Sequence, residues 1–152
     1  MPTFTPPDTD WETRVRESFG RQGLMRHLDA RLTRVEPGLV EIELPFRAEV
    51  TQQHGYFHAG ATSSIADTAG GYAAYSLFPA DSSVLTVEFK INLIAPAKGD
   101  RLRAVGEVIK PGRTLAICDL KVFAISGDRE ALCAIGLQTL ICLNERPEGA
   151  RA

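Results

Sequence analysis

No run of this sequence is apolar for long enough to cross a bilayer as a helix. Its first residues carry no basic segment followed by an apolar one, so no secretory leader is expected. There is no basic surplus either. Lys and Arg number 17 against 19 Asp and Glu, a net charge of -2, which argues against general nucleic-acid binding. Cysteine is sparse: Cys118, Cys133 and Cys142 form no C-x-x-C pair and lie among apolar residues. Such thiols read as small buried hydrophobes in a reducing cytoplasm. His27, His54 and His58 have no Cys or acidic neighbours at metal-ligand spacing, so no metal site is read. What is left is an ordinary globular composition, 44% hydrophobic and 24% charged over 152 residues, enough for one domain with a real core.

One local absence organises the rest. Between Gly55 and Ala80 there is no Lys, Arg or Glu, and the single carboxylate is Asp67. Ile65, Ala66, Ala69, Tyr72, Ala73 and Leu77 surround that Asp on more than one helical face, which predicts a buried helix starting near His58-Ala59. Phe78-Pro79 ends it. A carboxylate inside such a helix is costly unless it is paired or hydrogen-bonded.

Residues 1–8 are expected to be a flexible tail, 9–143 the single domain, and 144–152 a second flexible tail. Thr9-Asp10-Trp11-Glu12 fits a capping box, and Trp11, Val15 and Phe19 have helical spacing, so a short helix is predicted there. Leu28, Ala30 and Leu32 then alternate with polar residues. After the turn Glu36-Pro37-Gly38, so do Val40, Ile42 and Leu44, as in a half-buried hairpin. Beyond the central helix, Leu85 to Leu93 is the clearest strand. Leu102 to Ile109, Arg113 to Ile125 and Ala131 to Leu143 follow, joined by tight turns. Such short connections imply an antiparallel sheet with the long helix on its concave face, an α+β arrangement.

The first turn of the central helix presents unpaired N–H groups and the positive end of the helix dipole, suited to an oxygen that gains negative charge. Gly55 and Gly60 leave room for a ligand, and the Gln52 amide can donate to the same oxygen. Asp67 follows His58 by nine positions, about 13.5 Å along the axis. If the two cooperate, Asp67 must meet the helix N-terminus of a second copy. Two readings of Asp67 stand at this point: a catalytic acid, or a structural one bonded to nearby backbone, Ser64 or Thr68. Gly70-Gly71 reads as a close helix–sheet contact, since neither GxxxxGK nor GxGxxG surrounds it.

The run His58-Ala59-Gly60, followed by Ile65-Ala66-Asp67-Thr68-Ala69, resembles the HGG…LADTA signature of the hotdog-fold acyl-CoA thioesterases, closest to the phenylacetate-pathway (PaaI-like) branch. Leu85-Thr86-Val87-Glu88-Phe89, Ala95 through Leu102, and Lys110 through Thr114 agree in order, so the likeness covers about residues 38–143. It implies a long central helix wrapped by an antiparallel sheet. It also implies homodimers, often paired into homotetramers, with active sites at the dimer interface. The substrate implied is an acyl-CoA, with no separate cofactor, no nucleic-acid or membrane partner, and a cytoplasmic location.

By the same resemblance Asp67 is the nucleophile or general base, and Ala59 offers its N–H to the thioester carbonyl. Gln52 orients the thioester or the water, His58 adjoins the carbonyl site, and Thr86 helps hold the water. Lys90, Lys98, Lys110 and Arg113 are candidates for the CoA phosphates. Two positions depart from the pattern. Ala59 replaces a Gly and adds a methyl beside the thioester. Gln52 replaces the commoner Asn, as in a sister branch acting on aryl and hydroxyaryl thioesters. A non-catalytic acyl-CoA-binding module on the same fold is the alternative. A dehydratase would need a His–acid dyad in another motif, which is not found.

Overall fold

The computed structural model describes residues 4–149. In chain order its elements are α1 (Trp11–Arg21), α2 (Gly23–Leu28), β1 (Arg31–Glu36), β2 (Leu39–Pro45), a single 3-10 turn (Ala48–Val50) and α3 (Ala59–Tyr75). Four strands follow: β3 (Ser83–Leu93), β4 (Arg101–Lys110), β5 (Leu115–Ser126) and β6 (Arg129–Leu143). The strands form one antiparallel sheet in the order β1-β2-β4-β5-β6-β3. This is the wrapped-helix architecture that the resemblance implies.

Alternation decides which face of each strand meets α3. Val40, Ile42 and Leu44 on β2, Leu102 and Ala104 on β4, and Cys118, Leu120 and Val122 on β5 are buried, with their sequence neighbours turned outward. Ile65, Ala66, Ala69, Ala73 and Ala74 of α3 are fully buried against them. Truncating Ile65 to Ala would cost about 2–5 kcal/mol.

The helix sits unusually close to the sheet at one point. A Cβ on Gly106 of β4 would lie 2.3 Å from the Gly70 nitrogen, and one on Gly70 would lie 2.0 Å from Oε1 of Gln138 on β6. The close helix–sheet contact expected at Gly70 is present, and glycine is required on both sides of it.

Two expectations in the first third of the chain fail. The Thr9–Glu12 capping box does not form: α1 takes Asp10 as its N-cap, with no side-chain cap bond. Asp8 does the local work instead, accepting from the Asp10 N–H at 2.9 Å and from Arg14 Nε at 2.8 Å. The strand read across Leu28 to Leu32 is a helix as far as Leu28, closed by Asp29 in the left-handed region at φ 57°. Met25 and Leu28, three apart, bury as one helical face, which overrides the short period-two run. The strand proper starts at Arg31.

Of the two stretches read as tails, residues 1–3 and 150–152 lie outside the described residues. Phe4 packs against the core and over Gly38. Near the other end, Glu148 accepts hydrogen bonds from Ser18 and Arg21 of α1. Among the described residues no helix is long and apolar enough to cross a membrane. Strand β3 has one paired edge, against β6, and Leu85, Val87 and Phe89 along it are 57%, 56% and 43% exposed.

Candidate active site

Asp67 lies midway along α3, half-buried, where the helix packs over the paired strands β3 and β6. Its Oδ1 accepts from Thr86 Oγ1 on β3 at 2.7 Å and from Gln138 Nε2 on β6 at 2.6 Å. Its Oδ2 has no partner among the described residues. The carboxylate is held through one oxygen and presents the other. Asp67 borders a cavity of about 190 Å3 lined in part also by Thr68, Gly71, Tyr72, Val84, Thr86 and Leu140. Burial pushes the Tyr72 hydroxyl up to about 12, against the opposing pull of its bond with Ser18.

The other polar cluster is at the start of α3. His58 is the N-cap, and its Nδ1 accepts from the Gly60 N–H at 2.8 Å. The neutral ring therefore carries its proton on Nε2. The Ala59 N–H donates to no acceptor among the described residues. The preceding loop is pinned by Phe57 N–H to the Ala97 carbonyl and by His58 N–H to the Val50 carbonyl, each at 2.9 Å. Gln52 accepts from the His54 N–H through Oε1, which leaves its amide N–H groups free. Gln52, His58 and Ala59 line a second cavity of about 380 Å3, with Leu93, Pro96 and Cys133 among its other walls.

The sequence candidates thus fall into two groups within one chain. Asp67 and Thr86 meet at the first cavity, and Gln52, His58 and Ala59 at the second. Ala59 and Asp67 are eight positions apart on α3, about 12 Å along the axis. Gly60 adjoins the second group, but its N–H is already committed to His58. Lys98 follows the Ala95–Ala97 wall of that cavity. Lys90 is exposed on β3, and its Nζ donates to Asn92 Oδ1 at 3.0 Å. Lys110 and Arg113 lie elsewhere, around the β4–β5 turn; Arg113 lines a shallow hollow with Leu77 and Pro79, past the C-terminal end of α3. Among the described residues no three His, Cys, Asp or Glu side chains gather as a metal-binding set.

Gln138 is the site residue that the sequence reading missed. It is buried, comes from the last strand, and ties Asp67 and Thr86 together, with Nε2 3.1 Å from Thr86 Oγ1 and 3.1 Å from the Asp67 carbonyl. The signal was its place: a polar side chain on the inward register of an otherwise apolar strand needs a partner.

A family model described as the thioesterase superfamily matches residues 54–131. The proofreading thioesterase EntH of Klebsiella pneumoniae is 27% identical over 117 residues, 77% of this chain and 85% of that protein. A solved thioesterase family protein from Silicibacter pomeroyi superimposes with a TM-score of 0.87 at 43% identity, over 88% of this chain and 98% of that one. The Escherichia coli PaaI protein of the phenylacetic acid degradation operon superimposes with a TM-score of 0.79 at 18% identity, over 89% and 94%, a likeness of fold. Wrapped helix and family match together define a hotdog-fold thioester hydrolase. The chain belongs to the thioesterase superfamily.

Proposed function

We propose that this protein hydrolyses an aryl- or fatty-acyl-CoA to the free acid and CoA, at a site completed by two copies of the chain. The observation that carries the reading is the split between a carboxylate with one free oxygen and a helix N-terminus with a free N–H, in separate cavities of one chain. Both cavities include residues of β3, Thr86 at one and Leu93 at the other. The unpaired, apolar edge of β3 favours pairing with a second copy about a two-fold axis. With that axis near Phe89, Thr86 of one copy falls opposite Asn92 of the other, and Asp67 of the first nears Ala59 of the second.

In this reading Asp67 Oδ2 attacks the thioester carbonyl, or takes a proton from a water that does. The Ala59 N–H and the Gln52 amide stabilise the oxyanion. On the nucleophilic route the C–S bond breaks, CoA leaves as a thiolate, and water then hydrolyses the Asp67–acyl anhydride to the free acid, which restores the carboxylate. On the general-base route the C–S bond breaks directly to the free acid, and the proton held by Asp67 passes to the departing thiolate. Thr86 spends its proton on Asp67, and its oxygen is available to accept from the water. Lys98 is the best placed of the four cations for a CoA phosphate. Three free, buried cysteines suit a reducing cytoplasm.

Thiol release from a panel of aryl, short, medium and long acyl-CoAs tests the reading. Asp67→Asn is expected to lower turnover by about 10²–10⁴-fold while the melting temperature and assembly state hold. Full turnover in that variant would reject the role of Asp67. Tight acyl-CoA binding without thiol release in the unaltered protein would favour the non-catalytic alternative, with the Ala59 methyl as its cause.

A further inference from the structure

The cavity beside Asp67 ends at a polar cluster drawn from distant parts of the chain. Tyr72 lies five residues beyond Asp67 on α3, about 7.5 Å along the axis. Its hydroxyl oxygen accepts from Gln22 Nε2 at 3.1 Å. Ser18 Oγ donates to Glu148 Oε1 at 2.6 Å, so the Tyr72 proton is directed to Ser18 Oγ, 2.9 Å away. Arg21 NH2 lies 2.5 Å from Glu148 Oε2. Glu148 is thereby fastened through both oxygens to α1, and it lines the cavity together with Gln22 and Tyr72.

Beside Thr68 and Thr86, the rest of the lining includes the apolar or small residues Val84, Leu140 and Gly71. A ligand running from the carboxylate along α3 toward Tyr72 comes up against Glu148, an exposed residue at the rim of the cavity. CoA does not suit this cavity, because Glu148 repels its phosphates. The acyl group does. By size alone, a cavity of about 190 Å3 has room for a single ring or a short chain, since about 150 Å3 holds benzene. A long alkyl tail would have to push past Glu148 and break its bonds to Ser18 and Arg21.

We propose that Glu148, clasped to Ser18 and Arg21, is the end wall of the acyl pocket and limits the length of the acyl group. The proposal rests on the hydrolase reading for its substrate class, and it assigns the C-terminal segment a part in specificity.

The test is the ratio of kcat/KM for palmitoyl-CoA to that for benzoyl-CoA. The unaltered protein is expected to favour benzoyl-CoA. Glu148→Ala is expected to raise the ratio about tenfold, the scale of a few methylenes gaining room. Arg21→Ala, which frees the wall without removing it, moves the ratio in the same direction. A merely structural role would lower both rates together and leave the ratio alone, and an unchanged ratio in both variants overturns the proposal. The same ratio is read from binding by isothermal titration in the Asp67→Asn background. If the unaltered protein hydrolyses neither thioester, the hydrolase reading falls, and the binding ratio still decides the wall. No binding of either compound overturns both.

Discussion

Nε2 of Gln138 lies 2.6 Å from Oδ1 of Asp67, a contact between the last strand and the central helix. The same amide leaves its Oε1 buried with no partner among the described residues. The opposite amide orientation would set that oxygen against the carboxylate, so the unmet carbonyl follows from aiming the N–H at Asp67. Leaving such a group unpaired costs about 1–3 kcal/mol. Stability has been spent on orienting one side chain.

Gln138→Leu should therefore separate activity from stability. It removes the unmet carbonyl together with the donor, so the unfolding free energy in urea is expected to hold within about 1 kcal/mol while kcat/KM falls by about 10²-fold.

Ala59 is the first residue of α3, and His58 before it is already extended at ψ 141°. Proline is tolerated at that position and removes only the N–H. Ala59→Pro is thus expected to lower kcat by about 10²–10³-fold with an unchanged melting temperature. Co-expressed with Asp67→Asn, it should regain about half of wild-type activity per mixed dimer, since one of two symmetric sites is then whole. Tandem-tag purification isolates the mixed species. Absence of recovery would show that each chain works alone.

Gly106→Ala places a methyl 2.3 Å from the backbone of α3, where no flexible side chain can yield. A loss of about 1–3 kcal/mol or more is expected in urea unfolding. Gly55→Ala is a poor control because φ there is 78°. Gly20→Ala meets nothing within 4 Å and should be neutral or slightly stabilising.

Burial pushes the Cys118 thiol up to about 12 and Cys133 to about 11, from an ordinary 9.0. Tyr72 goes to about 12 from 10.0 for the same reason. In each case the folded-state value exceeds the unfolded one. The stabilisation is complete below about pH 9 and drains away as pH rises toward 12, by about 1.4 kcal/mol per unit for each group past its unfolded pKa. Calorimetry at about pH 8 and about pH 10.5 should show the drop. Native thiols should resist a disulfide reagent at the lower pH and react after denaturation.

The parts legible from sequence were those set by one strong pattern. The absence of Lys, Arg and Glu from Gly55 to Ala80, with Asp67 the single carboxylate, marked α3, whose start at Ala59 matches the expectation. Alternation marked β2 and the strands after the helix. Leu28, Ala30 and Leu32 misled because three alternating residues cannot outweigh the i, i+3 pairing of Met25 with Leu28. Thr9 misled because the helix begins one residue too late for its hydroxyl to cap. Gln138 was hidden in a strand whose apolar residues fall on both faces, which blurs the register that would have exposed it. The separation of Asp67 from Ala59 could be counted from residue numbers. The clasp of Glu148 on α1 could not, because it joins residues 130 apart without any local pattern.

The strand order carries a consequence for synthesis. Among the described strands β3 pairs only with β6, which leaves the ribosome after the other five. Until Leu143 has emerged, both edges of an apolar, eleven-residue strand stay open. A nascent or prematurely terminated chain therefore displays its stickiest segment during the interval when it has nothing to cover it. Slow translation through the codons for β4 and β5 should send more of the product into inclusion bodies.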